Sequence, residues 1–301
     1  MLAIETRTLT RRFTTGHGVE ALDLAVPAGS VYGFLGPNGA GKTTTIRLLL
    51  GLLRADGGEI RLFGQPLTRQ SRTPLRQVGS MVESPSLYPH LSGYENLEVT
   101  RRLLGLAPER IDAVLRIVGL ERDAHRRVRV YSLGMRQRLG IALALLGEPR
   151  LLVLDEPSNG LDPAGIVELR TLLQRMAGEL GITVFVSSHL LAEVEQMASH
   201  VGVLHQGRLR FQGTPAELRK RYGDPLVIRC TDGEAVCAAL AELGEAAQQV
   251  DPTTVRVPMP QRPDHEINRW LVTRGHEVHA LARSPRSLET LFFEMTGRDA
   301  A

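Results

Sequence analysis

The sequence is poor in lysine: of 36 basic residues only Lys42 and Lys220 are lysine, and the rest are arginine. Cysteine is nearly absent too. Cys230 and Cys237 have no cluster of further ligands around them, which excludes a disulfide framework and leaves no metal site built on cysteine. Net charge is only +3, too weak a field to point to nucleic acid as a partner. Long apolar runs are missing: the best candidate, Leu139 to Leu146, stops at Gly147-Glu148-Pro149, well short of the ~18 apolar residues that span a bilayer. Met1 to Glu5 has no basic flank followed by an apolar run, so it does not read as a secretion signal. A role at a membrane would need a separate membrane-embedded partner.

What is present is an ordinary globular composition, 43% hydrophobic over 301 residues, enough for one large domain or two unequal ones. Residues 2–32 alternate as short strands, with Leu22 to Val26 the clearest. Val31 to Leu35 is a compact apolar strand, followed by a glycine-rich turn and helical spacing from Thr43 to Leu53. Residues 93–118 predict helices interrupted at Gly105 and Pro108, and Arg136 to Leu146 predicts another. Leu151 to Leu154 and Thr183 to Val186 are fully apolar runs, as in strands buried on both faces, with a helix from Pro163 to Leu180 between them. This alternation predicts an α/β fold around a mostly parallel sheet. The pattern changes near Gly223-Asp224-Pro225. Residues 1–222 read as the main domain and 223–301 as a small α+β domain, with strand–helix units at 226–243 and 255–274, a strand at 277–282 and a last helix at 287–296.

Two motifs carry chemistry. Gly36-Pro37-Asn38-Gly39-Ala40-Gly41-Lys42-Thr43-Thr44 fits G-x-x-x-x-G-K-[ST] between a strand and a helix, the context this phosphate loop requires. Its glycines let backbone N–H groups curl around phosphate oxygens, and the following helix adds its N-terminal partial charge. Lys42 brings a compact ammonium to the β/γ-phosphates, which an arginine fork would not replace. Thr43 offers its hydroxyl to Mg²⁺. In Leu151-Leu152-Val153-Leu154-Asp155-Glu156, two acids emerge at the carboxyl end of a buried strand, where ligands bind in such sheets. Asp155 would hold Mg²⁺ and Glu156 would polarise an attacking water.

Between these motifs, Tyr131-Ser132-Leu133-Gly134-Met135-Arg136-Gln137-Arg138 resembles the signature of the ABC transporter ATPases, usually written L-S-G-G-Q. Ser158-Asn159-Gly160-Leu161-Asp162 is similar to their D-loop, His189 to their switch histidine, and Phe13 stands where they carry an aromatic that stacks on adenine. The motifs occur in the family's order over residues 1–220 or so. The resemblance implies a P-loop cassette with an antiparallel β subdomain and a helical subdomain. It implies ATP and Mg²⁺ as ligands, ATP hydrolysis, and an active site shared between two copies, with Ser132 and Gly134 of one capping the γ-phosphate held by the other. It also implies a transmembrane permease as partner, docked through 88–99, and a place on the cytoplasmic face of the membrane.

Two positions depart from the family pattern. Glu83 stands where a glutamine usually contacts Mg²⁺, and the signature has Leu133 and Met135, so only Ser132 and Gly134 carry over. Both departures resemble the bacitracin- and lantibiotic-type exporter branch, which implies export. A ribosome- or DNA-directed ABC protein would need a second cassette, long coiled coils or zinc modules that this chain lacks. A GTPase would need an N-K-x-D motif, which is also missing. His265, His276 and His279 have no carboxylate or cysteine support for a metal. Ser287 to Phe293 reads as an apolar-faced helix suited to a dimer or partner contact.

Overall fold

The computed structural model describes residues 1–14, 16, 18–284, 287 and 290–292. The chain divides into two compact units, Met1–Thr214 and Pro215–Ala301. The first opens with strands β1 (Leu2–Arg12), β2 (Gly18–Leu22), β3 (Ala25–Pro27) and β4 (Val31–Leu35), then helix α1 (Lys42–Leu49), β5 (Gly57–Leu62), β6 (Gln65–Pro66) and β7 (Val78–Met81). Helices α2 (Gly93–Leu104), α3 (Glu109–Val118) and α4 (Leu133–Leu145) follow. The unit closes with β8 (Leu151–Asp155), α5 (Pro163–Gly178), β9 (Thr183–Ser188), the short α6 (Leu191–Glu195), β10 (His200–His205) and β11 (Arg208–Gly213).

These strands form two sheets. One is antiparallel, in the order β2-β1-β5-β6 with β3 also on β1; the other runs β11-β10-β4-β9-β8-β7 and is parallel except for β11. Every residue of β4, β8 and β9 is buried, as in a sheet covered on both faces. The two-residue period of a strand divides β8 between two cores. Leu152 and Leu154 join Leu97, Ile111, Val114 and Leu115 of the helices. Leu151 and Val153 join Ile46, Leu48 and Leu49 of α1 and the antiparallel sheet.

Local chemistry explains where elements begin and end. Ser92 and Glu95 form a reciprocal cap at the start of α2, and Gly105, in the left-handed conformation, ends it. The Ser132 hydroxyl accepts from Met135 N, so α4 starts ahead of the expected Arg136. The strand expected over Leu22 to Val26 is split instead. Thr6 Oγ1 donates to Leu22 O at 2.7 Å and accepts from Leu24 N at 2.8 Å, while Asp23 accepts from Thr8 N. Between β2 and β3, these side-chain bonds interrupt the pairing with β1, where the backbone bond from Thr6 N to Leu24 O remains.

The second unit contains α7 (Pro215–Tyr222), β12 (Leu226–Cys230), α8 (Gly233–Glu242), β13 (Gln248–Asp251), β14 (Thr254–Val257), α9 (Asp264–Thr273) and β15 (Val278–Arg283). Its sheet is antiparallel throughout in the order β13-β14-β12-β15. The β-α-β-β-α-β run from β12 to β15 is a ferredoxin-like arrangement. Leu226, Ile228, Leu240, Val255, Ile267 and Leu271 form its core. The fully buried Glu245 carboxylate accepts from Gln261 N and Arg262 N, at 2.9 and 3.0 Å, and so pins the loop that leads into α9. The helix expected at 287–296 falls largely outside the described residues.

Candidate nucleotide site

Three neighbouring strands of the parallel sheet, β4, β9 and β8, deliver the expected residues to one edge. After β4 the chain turns through the phosphate loop into α1, with Gly39 and Gly41 at φ 81° and 107°. A Cβ on Gly41 would lie 2.9 Å from Gly18 O, and one on Gly36 would lie 2.5 Å from Leu204 O. Only glycine therefore lets the loop close so tightly. The loop lines a cleft together with Gly18, Glu156, Asn159 and His189.

Lys42 opens α1 and is buried, 6% exposed. Its ammonium donates to Gly36 O at 2.7 Å and pairs with Glu156 Oε1 at 3.1 Å. Glu156 Oε2 lies 2.5 Å from His189 Nδ1. An ionised carboxylate only accepts, so Nδ1 is the donor and Nε2 is the nitrogen left for a ligand. Burial pushes the Glu156 carboxyl up, but the hydrogen bond from His189 and the Lys42 charge outweigh it, and its pKa falls below the ordinary glutamate value. Glu156 also sits at φ 49°, a conformation that costs a non-glycine residue about 1 kcal/mol or more. The strain turns its carboxylate out of the strand line at the cleft.

Ser187, on β9, was not singled out in the sequence. Its hydroxyl accepts from Glu156 N at 2.9 Å and donates to Asp155 Oδ1 at 2.6 Å, which fixes both acids. The register pairing Asp155 with Ser187 across β8 and β9 brings them together, and a single strand's sequence carries no such signal. Asp155 is 3% exposed. Among the described residues, its Oδ2 and the Thr43 hydroxyl have no hydrogen-bond partner. They are hard oxygen donors of the kind that suits a small divalent cation.

Other expected residues lie apart. Glu83, expected beside the metal, has its carboxylate on Arg47 of α1. Among the described residues, no hydrogen bond or ion pair joins it to Thr43 or Asp155. Phe13 is 37% exposed, beyond the end of β1, with the Arg11 guanidinium 5.0 Å over its ring and that guanidinium held by Asp56 at 2.7 Å. Ser132 is exposed at the start of α4, and among the described residues its hydroxyl bonds only within its own turn, to Met135 N. A Cβ on Gly134 would lie 3.8 Å from Leu161 Cδ2 and 3.9 Å from Ser132 Oγ, ordinary contact distances, so a Cβ fits there without a clash. Leu133, the departure beside it, packs against the D-loop: its Cδ2 lies 3.1 Å from where a Gly160 Cβ would be.

Comparison with known proteins agrees with this geometry. The ABC transporter family pattern matches residues 19–159. The bacitracin transport ATP-binding protein BcrA of Bacillus licheniformis is 41% identical, covering 98% of this chain and 97% of that one. The daunorubicin/doxorubicin resistance ATP-binding protein DrrA of Streptomyces peucetius is 36% identical, covering 99% and 93%. Among solved structures, cbiO1 of Clostridium perfringens, part of the ABC transporter complex cbiONQ, superposes with a TM-score of 0.67 at 27% identity, covering 81% of this chain and 96% of that one. No helix among the described residues is long and apolar enough to cross a membrane. A strand–phosphate loop–helix with its buried lysine, an acid pair at the end of β8 and full-length similarity to transport ATP-binding proteins together place this chain in the ABC transporter family, as an ATP-binding and ATP-hydrolysing subunit that energises transport.

Proposed function

We propose that this subunit drives export through a separate membrane permease, with catalytic work shared between two copies of the chain. The observation that carries the reading is the Lys42–Glu156–His189 chain of contacts. A phosphate and Glu156 compete for the same Lys42 ammonium, so phosphate binding frees a carboxylate already kept ionised by its neighbours. Glu156 then polarises the attacking water, and His189, held by Glu156 through Nδ1, offers Nε2 to the γ-phosphate. The phosphate loop, Gly36 to Thr44, cradles the phosphates, and Phe13 stacks on adenine. Thr43 and Asp155 would hold Mg²⁺, which would supply charge neutralisation at the phosphates, and Glu83 is the third candidate for the metal side of the site.

Ser132, whose hydroxyl caps its own helix through Met135 N, and Gly134 form the cap for ATP on a second copy. A helix N-terminus suits the γ-phosphate there. In this reading residues 1–222 are the ATPase cassette, 223–301 an accessory domain, and 88–99 the permease-docking segment. The subunit sits peripherally on the cytoplasmic face of the membrane and has no nucleic-acid partner. The relatives' names, bacitracin transport and daunorubicin/doxorubicin resistance, favour an antibiotic, peptide or lipid-like cargo. The test is co-expression with the membrane protein of a neighbouring gene. Recruitment to the membrane fraction and a raised ATPase rate are expected; a chain that instead sediments with ribosomes or DNA would overturn the reading.

A further inference from the structure

Glu83 replaces an amide with a charge near a site that binds an anion and a cation, and the structure gives that charge a partner that the sequence motifs do not mention. Just after β7, Glu83 has φ 61°, a left-handed conformation unfavourable for a residue with a Cβ. The bend carries the Glu83 carboxylate onto the Arg47 guanidinium of α1, in an ion pair whose side chains are 64% and 47% exposed. Arg47 is four residues after Thr43. Residues so spaced share one helix face, their Cβ atoms about 6 Å apart, and helical side chains lean toward the N-terminus. Arg47 therefore holds Glu83 on the Thr43 face of α1, about one turn below the hydroxyl.

We propose that Arg47 is a positioning residue that parks the Glu83 carboxylate one helical turn from Thr43, and so sets how strongly the site takes its divalent cation. The pair neutralises the charge that distinguishes Glu83 from an amide and restrains it from the metal shell. When the pair opens, the carboxylate reaches toward Thr43, and the site gains an anionic oxygen ligand or an acceptor for a metal-bound water. Being exposed, the pair is weak enough to open and close during turnover. The inference rests on the reading of Thr43, Asp155 and Glu83 as the metal side of the site.

The test is a titration of free Mn²⁺ by electron paramagnetic resonance, with ATP and the full-length chain in a Glu156→Gln background that suppresses turnover. Arg47→Gln is expected to tighten Mn²⁺ about two- to fivefold, the size set by an exposed ion pair. Arg47→Lys should stay near the parent, because the positive partner is kept. Adding Glu83→Gln to Arg47→Gln should abolish the gain. If the double variant stays tight, Arg47 acts through space by its own charge and the parking role is overturned. If Glu83→Gln alone weakens Mn²⁺ while Arg47→Gln changes nothing, the metal reading survives and Arg47 has no role in it. If neither single variant changes Mn²⁺ binding, the parking role falls and Glu83 drops out of the metal side, which is left to Thr43 and Asp155.

Discussion

At the carboxyl ends of β4, β8 and β9, Lys42, Glu156 and His189 meet partners from other strands of the same sheet, whereas at the start of α4, among the described residues, the Ser132 hydroxyl bonds only to Met135 N and a Cβ on Gly134 would make only ordinary contacts. Lys42 is buried and Ser132 is exposed. The contrast teaches how to separate a residue that serves its own chain from one that serves another. A group saturated by internal contacts is part of the local machinery. A glycine where a Cβ would fit without a clash and a hydroxyl bonded as a helix cap have little to do inside the molecule beyond local capping.

The largest expected effect falls on the internal side. Glu156→Gln should lower steady-state phosphate release by about a hundredfold or more, as loss of a general base does, and should accumulate ATP-bound dimers on size-exclusion chromatography. Undiminished release would remove Glu156 from the role of base.

The external side is tested by Gly134→Asp, which places a carboxylate at the N-terminal turn of α4. The helix tolerates an anion there, so the melting temperature should hold, while repulsion of a neighbour's γ-phosphate should cut activity about tenfold or more. The sharper form mixes two inactive chains, Lys42→Ala and Gly134→Asp. If the site is shared, the mixture regains activity, because one of its two composite sites is intact. If Gly134 serves its own chain, mixing restores nothing.

Phe13→Ala should raise KM for ATP about tenfold with little change in kcat, since stacking on a base contributes roughly 1–3 kcal/mol. A change confined to kcat would sink the adenine role.

The smallest effect concerns pH. The folded-state pKa of Glu156 is depressed, so its contribution to stability is present above the ordinary glutamate value, about 4.3, and is lost as pH falls through the lower folded value. In urea unfolding, the parent should lose more stability than Glu156→Gln as pH falls below ~4.5. Parallel curves would mean that Lys42 and His189 do not hold the carboxylate ionised.

Much of the fold was legible because one-dimensional signals carried it. The apolar runs at Leu151 to Leu154 and Thr183 to Val186 are buried strands, and Gly105 ends a helix where expected. Strands β5, β10 and β11 were less visible. β5 begins with Gly57-Gly58, and β11 carries Arg208, Arg210 and Gln212 on its more exposed side, so neither shows a clean apolar period. In the small unit, the fourth strand, β13, is exposed at all its positions and has no apolar alternation to announce it.

By itself the sequence determined the phosphate loop, the acid pair and the order of motifs, because these rest on residue type and local spacing. Glycines permit the left-handed turns, and one of only two lysines in an otherwise arginine-using chain stands in the loop. Tertiary structure decided which groups meet. The register of β8 against β9 put Ser187 between Asp155 and Glu156, and the backbone turn at Glu83, just after β7, gave its carboxylate to Arg47 of α1 instead of to Thr43. The physical reason is that hydrogen bonds and ion pairs act over a few ångströms of space, and only the folded sheet brings residues 30 or more positions apart to that distance.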